Sequence, residues 1–288
     1  MKKILVVVHV YYPQLWKELS ECVRNIVEPN DIIITYSDEA AVGQARRDFP
    51  DASFVQCENV GFDVWPFLKV LDTVDLSLYS FIVKLHTKRD VALDRDFRFN
   101  HANFLGARWR NRLLSFVRTP EAWRRSLNRI AGDASIGMVA DATCILRRND
   151  VPWEMTRQGF DRGLSIARSL GVDPAEPQFV GGTMFLARAE VFRHLQGRFS
   201  AADFNQGLEH GTVTLAHFLE RVIGFCACVD GMRIADPRGW LAWRRFAGAV
   251  LDLIAPVTNF LLRIKRTEGG GMIVKVLKVP VYRRRGRR

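Results

Sequence analysis

Two runs of β-branched residues, Lys3 to Val10 and Asp31 to Tyr36, flank a stretch in which Leu15, Trp16, Leu19, Cys22, Val23 and Ile26 recur at helical spacing. Strand, helix and strand in that order make a β-α-β unit. The pattern then continues: Ser53 to Cys57 and Tyr79 to Leu85 are two more short apolar runs, with Val64 to Leu71 readable as a helix between them. Alternation of this kind over the first ninety residues favours a parallel or mixed sheet covered by helices.

Beyond residue 90 the pattern turns helical and polar. Trp109, Leu113, Phe116 and Val117 form an apolar stripe beside Arg108, Arg110 and Arg112. Pro120 to Ile130 reads as a second helix, because Pro120 suits a first helical turn and Thr119 can cap it. Gly137 to Ile145 reads as a strand, and Gln158 to Leu170 as a helix closed by Gly171. Thr214 to Phe225 reads as a helix with Leu215, Phe218, Leu219, Val222 and Ile223 on its apolar face. Between the last two helices lies EPQFVGGTMFLARAEVFRHL, a glycine pair running into an apolar strand and then a helix. Without Cβ atoms, Gly181 and Gly182 let the main chain turn sharply or lie close against a ligand. An ordinary turn before a strand is the other reading.

With 288 residues, 48% hydrophobic and 25% charged, the chain can bury the core of one large domain or two small ones. Its five cysteines follow neither a disulfide framework nor a zinc spacing, so reduced thiols in a cytoplasmic compartment are expected. MKKILVVVHVYYP lacks a small-residue cleavage site and reads as a first buried strand. The formal net charge of +11 is concentrated near the C-terminus, where Arg263 to Arg288 holds ten basic residues against Glu268. The expected organisation is a domain over residues 1–238 and an amphipathic, basic extension over 239–288.

Several polar residues fall at predicted strand ends. Asn59, Gly61 and Asp63 follow the third strand, where ligands gather in open α/β sheets; a turn with Asn59 and Asp63 bonded to nearby backbone is the alternative. In FIVKLHTKRD, His86 and Lys88 point to one face of extended chain, and that pair can contact phosphate or sit idle at a strand terminus. His217 and Glu220 are helix neighbours with Arg221 adjacent, a grouping that also suits a solvated, salt-bridged face. His86 and His217 belong to no metal-binding spacing such as H-E-x-x-H, and no P-loop, G-x-G-x-x-G or G-x-S-x-G is present, which argues against nucleotide triphosphatase, dinucleotide-dependent and serine hydrolase chemistry.

Taken in order, HVYYPQLW, ENVGFDVWPFL, VKLHTKRD, ARWRNRLL, FVGGTMFLAR and LAHFLERVIGF resemble the rhamnan synthesis protein F family of bacterial polysaccharide assembly. The same order is similar to a diverged GT-A glycosyltransferase plan. The resemblance implies an α/β fold with a mixed, mainly parallel sheet flanked by helices. It also implies inverting transfer of rhamnose or a related deoxysugar from a nucleotide-sugar donor, dTDP-L-rhamnose, to a lipid-linked polysaccharide at the cytoplasmic face of the plasma membrane. Donor binding would fall to His9, Asn59, Gly61, Asp63, His86, Lys88, Gly181, Gly182 and Thr183, with His217, Glu220 and Arg221 as a helix site. Asp203, Glu209 and His210 are the candidates for the catalytic base, Glu209 first.

Two departures stand out. GT-A enzymes end the fourth strand with an Asp-x-Asp pair that holds a divalent cation, and this chain has Leu85-His86-Thr87-Lys88. The expectation is that Lys88, helped by His86, neutralises the departing diphosphate, so a divalent metal is not favoured. Thr212 occupies the position before the last helix where the family pattern has an acidic residue. The alternatives are a non-catalytic glycan-assembly subunit of the same fold and a basic nucleic-acid-binding protein, the latter without zinc-finger or helix-turn-helix support.

Trp240 to Lys265 carries an apolar core interrupted by Asp252, Pro256 and Asn259, short of the ~20 residues a membrane-spanning helix needs. It reads as a helix lying on an anionic membrane surface, with a core helix and a solubilising tail as the alternative.

Overall fold

The computed structural model describes residues 2–88, 106–150, 154–204, 214–243, 246, 250, 262–266, 272–277 and 279–284. The chain divides into two compact units, one of Met1–Lys88 with Arg112–Gly239, the other of Arg89–Asn111 with Trp240–Arg288.

The first unit is built on a seven-stranded sheet. Its elements begin with β1 (Lys3–Val10), α1 (Trp16–Arg24), β2 (Asn30–Tyr36), α2 (Gly43–Asp48), β3 (Ser53–Gln56), α3 (Val64–Thr73) and β4 (Tyr79–His86). After α4 (Gly106–Leu113), most of which belongs to the second unit, they continue through α5 (Pro120–Ala131), β5 (Ile136–Val139), β6 (Ile145–Leu146), α6 (Glu154–Ser169), β7 (Phe179–Val180), β8 (Phe185–Arg188), α7 (Leu215–Cys226) and β9 (Arg233–Ala235). The sheet order is β3-β2-β1-β4-β8-β5-β9. β3, β2, β1 and β4 run parallel to one another, and β9 is parallel to β5. β8 runs antiparallel to both β4 and β5, so six strands share one direction and β8 opposes them. This is the mixed, mainly parallel sheet flanked by helices that the alternation and the resemblance lead one to expect.

β1 is buried from Ile4 to Val10 because it lies between β2 and β4, with helices supplying the remaining cover. A strand buried on both faces reads as a continuous apolar run, which is why KILVVVHV shows no polar alternation. Each fully buried Val, Ile or Leu side chain contributes roughly 2 kcal/mol of transfer free energy. α3 packs on β1 and β2, and α5 on β5 and β8. The local signals hold: Thr119 accepts the Ala122 N–H with Pro120 in the first turn of α5, and Gly171 lies at φ +78 just beyond α6.

Gly137 to Ile145 is not one strand. β5 stops at Val139 because Asp141 folds the chain, its Oδ1 accepting the Thr143 N–H at 2.8 Å and its carbonyl the Cys144 N–H at 2.8 Å. The chain resumes as β6, which pairs with β7 in a separate two-stranded ribbon. The segment after β8, Ala189–Leu195, is a 3₁₀ helix. All five cysteines are free and buried.

In the second unit, the helical reading of the C-terminal extension needs correction. Leu262–Arg266 (β10), Met272–Val276 (β11) and Val279–Arg284 (β12) form a three-stranded antiparallel sheet. Leu262, Arg263, Ile264 and Lys265 alternate with a period of two, as do Val274, Lys275 and Val276, and that period sets strand over helix. Helical residues occur at 241–243, 246 and 250, and the rest of the expected helix lies outside the described residues.

Candidate functional site

Strand order reverses at β1 and β4: β2 and β3 lie beyond β1 on one side, and β8, β5 and β9 beyond β4 on the other. Such a reversal opens a crevice at the carboxyl ends of the strands. His9 and His86 stand there as register partners on adjacent strands. Just past them the Thr87 N–H donates to the His9 carbonyl at 3.0 Å, and the Thr87 hydroxyl oxygen accepts the Tyr11 and Tyr12 N–H groups at 2.9 Å each. Because β8 runs the other way, the turn entering it reaches the same edge.

That turn is Gly181-Gly182-Thr183. Gly182 lies at φ +87 and Thr183 at φ +47, a conformation few side-chain-bearing residues adopt. Thr183 is held by its partners: its hydroxyl donates to Asp63 Oδ2, and Lys84 Nζ donates to its carbonyl at 3.1 Å and its hydroxyl oxygen at 2.9 Å. Lys84 also pairs with Asp63 Oδ2 at 2.5 Å. Gly182 donates its N–H to Glu220 Oε1 at 2.7 Å, and Gly181 donates to the Cys144 carbonyl at 2.8 Å.

Asp63 sits immediately before α3, at the end of a loop that only glycine can begin. Gly61 is at φ +64, and a Cβ there would lie 2.6 Å from Phe204 Cδ1 and 2.7 Å from Trp65 Cβ. Phe62 is also left-handed and exposed, and its ring meets that of His217 at 5.6 Å. Asn59 is exposed on the same loop. Thr214 and His217 form a capping box at the start of α7. Further along α7, Arg221 donates to the His217 carbonyl, lies 3.3 Å from Glu220 Oε2 and rests on the Phe179 ring.

Burial and charge set the protonation states. Burial works to raise the Asp63 carboxyl, and its neighbours His86, Lys84 and Lys88 override this and hold it well below the usual carboxylate range. Burial lowers Lys84, opposed by the Asp63 carboxylate. Desolvation holds His86 well below its ordinary value, so the imidazole is neutral near neutral pH and Lys84 is the enduring counter-ion. His86 Nδ1 lies 3.4 Å from Asp63 Oδ2, and neither ring nitrogen has a hydrogen-bond partner among the described residues. His9, bonded through Nδ1 to the Thr35 hydroxyl at 3.0 Å, is lowered by burial to about 4. Burial also lowers His217, against the pull of Glu220. Lys88 is half-buried and adds positive charge to the same cluster.

Asp63, His86, Lys88, Gly182, Thr183, His217, Glu220 and Arg221, drawn from four separate stretches, are thus brought together. Glu220 does not form a solvated face: it turns inward to the glycine turn. Asp203 is exposed, and its carboxylate accepts the N–H and hydroxyl of Ser200 at 2.7 and 2.9 Å. Glu209 and His210, like Thr212, lie outside the described residues. Lys84 was not among the residues expected at the site, although a charge inside the otherwise apolar FIVKLH is a readable signal. Asp141 and Asp236, just past β5 and β9 on the same edge, were likewise not anticipated; Asp141 Oδ2 accepts the Ser115 hydroxyl at 2.7 Å.

Residues 1–232 match the family described as Rhamnan synthesis protein F, and the chain belongs to that family. A relative from Xanthomonas campestris pv. campestris strain B100, "Uncharacterized protein WxcX", is 26% identical over 237 residues. The alignment covers 80% of this chain and 32% of that protein, so the chain spans about a third of the length of the curated relatives it matches. Among solved structures, the chain is similar to glucosyl-3-phosphoglycerate synthase from Mycobacterium tuberculosis in complex with Mn2+, uridine-diphosphate and glucosyl-3-phosphoglycerate. The TM-score is 0.39 with 10% identity, covering 98% of this chain and 90% of that one. It is also similar to CMP:2-keto-3-deoxy-manno-octonic acid synthetase complexed with CTP, with TM-score 0.37 and 9% identity over 87% of this chain and 99% of that one. Likenesses as loose as these two carry no argument about activity.

Proposed function

We propose that the chain is a glycosyltransferase that moves rhamnose or a related deoxysugar from a nucleotide-activated donor to a growing cell-surface polysaccharide. One observation carries this reading. The tips of β1, β4 and β8 and the starts of α3 and α7 meet in one polar cluster at the strand-order reversal of a mainly parallel sheet.

In an inverting transfer the acceptor oxygen bonds to the anomeric carbon as the bond from that carbon to the donor diphosphate breaks. Negative charge grows on the departing diphosphate, and a preorganised cation there lowers the barrier. Lys88 supplies that charge in this reading, with the neutral ring of His86 offering an N–H beside it. Lys84 cannot take that role, because Asp63 and Thr183 use its three N–H donors. The acceptor hydroxyl gives its proton to a base. With Asp203 engaged by Ser200, Glu209 is the residue we assign to it.

The donor we infer is dTDP-L-rhamnose, and the acceptor a lipid-linked glycan. Peripheral attachment to an anionic membrane accords with both: Trp240, Trp243 and Phe246 are exposed, and ten basic residues follow from Arg263. Among the described residues no helix is long and apolar enough to cross a membrane.

The test is nucleotide release from dTDP-L-rhamnose with a polysaccharide acceptor, run with and without a strong chelator. Acceptor-dependent release that the chelator leaves unchanged supports the proposal. Loss of release with chelator and rescue by magnesium or manganese would overturn the role given to Lys88. Ligand-induced thermal stabilisation without any release would instead favour the non-catalytic assembly subunit.

A further inference from the structure

Lys84 is the most unusual residue in the sheet. It lies inside β4 between Val83 and Leu85, and its side chain is 2% exposed. Removing an ammonium from water is costly, and an apolar side chain of similar volume commonly serves a core as well or better. Stability alone is therefore a weak reason for a lysine here.

What the ammonium does is join three pieces of chain. Its donors are all used, one on Asp63 before α3 and two on Thr183 before β8, partners 21 and 99 positions away. Thr183 is in the left-handed region at φ +47, and such a residue persists only where its surroundings over-determine it. Lys84 and Asp63 provide that constraint from one side. Glu220, bonded to the Gly182 N–H, provides it from the other. Two residues beyond Lys84 on the same face of β4 stands His86, buried, with neither ring nitrogen hydrogen-bonded among the described residues. The carboxylate oxygen that Lys84 and Thr183 both hold, Asp63 Oδ2, is the one that faces His86 Nδ1.

We propose that Lys84 is a positioning residue: it locks the Asp63 carboxylate and the Thr183 turn into a single arrangement, so that His86 is preset for the anionic half of a nucleotide-activated ligand. The inference rests on the glycosyltransferase reading for the identity of the ligand, and on the geometry alone for the locking. Lys84 itself touches no ligand. Its loss acts through the turn and through His86.

The experiment uses the full chain and two variants. Lys84→Met removes the ammonium and leaves Asp63 buried without its counter-ion. Lys84→Met combined with Asp63→Asn removes both charges at nearly constant volume, which keeps a folded protein available if the single variant fails to fold. Two readouts are taken, dTDP affinity by titration and amide exchange at Gly181 to Thr183. The expected result for the double variant is native far-ultraviolet dichroism, at least tenfold weaker dTDP binding, and faster exchange confined to the turn. A folded double variant that binds dTDP like the parent, or that keeps parental exchange at the turn, overturns the proposal. If the parent binds no nucleotide, the glycosyltransferase reading falls, and the exchange measurement still decides the role of Lys84.

Discussion

At the scale of single residues, Gly61 gives the sharpest stability test. Alanine there needs a left-handed backbone, and its Cβ meets Phe204 and Trp65 at 2.6 and 2.7 Å. Gly61→Ala should cost about 2 kcal/mol or more in urea unfolding. Gly43→Ala is the control: it lies in the first turn of α2 with nothing within 4 Å of the added Cβ, so a change between zero and a gain of about 1 kcal/mol is expected. The sequence showed that Gly61 and Asp63 follow a strand, and that His86 and Lys88 share a face. It did not show which charges meet. The Lys84 pairing spans 21 residues to Asp63 and 99 to Thr183, and periodicity carries no information over such separations. A charged residue within an apolar strand was the available clue, and reading the strand only for its apolar content passes over it.

Among elements, α7 packs closely on β7. A Cβ on Gly224 would lie 2.4 Å from Phe179 Cα and 2.7 Å from the Gln178 carbonyl oxygen, so the helix rests directly on the strand backbone. Gly224→Ala must push α7 away and with it Glu220. The expected outcome is a loss of at least about 3 kcal/mol in stability and weaker protection of the Gly182 amide, measured by denaturant unfolding and hydrogen exchange. Thr119→Ala, which only uncaps α5, should cost about 1 kcal/mol and leave the glycine turn unchanged. Helices with caps and clear apolar faces, such as α5 and α7, were legible in the sequence. Short strands were less so: Asp141 ends β5 through a side-chain turn that an apolar run conceals. At the C-terminus, an amphipathic composition drew attention away from the two-residue period of β10 and β11.

For the whole molecule, acid should weaken folding in a defined window. His9 falls from an ordinary value of 6.5 to about 4 on burial, so its neutral form is favoured in the folded state. The stability this contributes is complete above pH 6.5 and is lost as the pH falls from there to 4, a change of about 3 kcal/mol. His86 is lowered too and acts in the same direction. Asp63, held below its ordinary range, adds a further loss only below about pH 4. Unfolding free energies at pH 7, 5.5 and 4.5 should therefore decline stepwise, and His9→Gln should flatten the decline. A pH-independent profile between 7 and 4.5 would contradict the burial of these rings. The sheet plan itself was largely legible, because β-α-β alternation dictates a parallel sheet. The reversed β8 was not, since strand direction depends on partners remote in sequence.

The glycine turn leaves β7, which belongs to the ribbon with β6, and enters β8 in the principal sheet. It is thus a mechanical joint between two separately hydrogen-bonded bodies, with the Gly181 amide tied to Cys144 on the ribbon side. A displacement of the joint transmits shear to Phe179, whose ring packs on Phe160 and under Arg221. A fluorine label on that ring would report such a displacement through a change in its resonance.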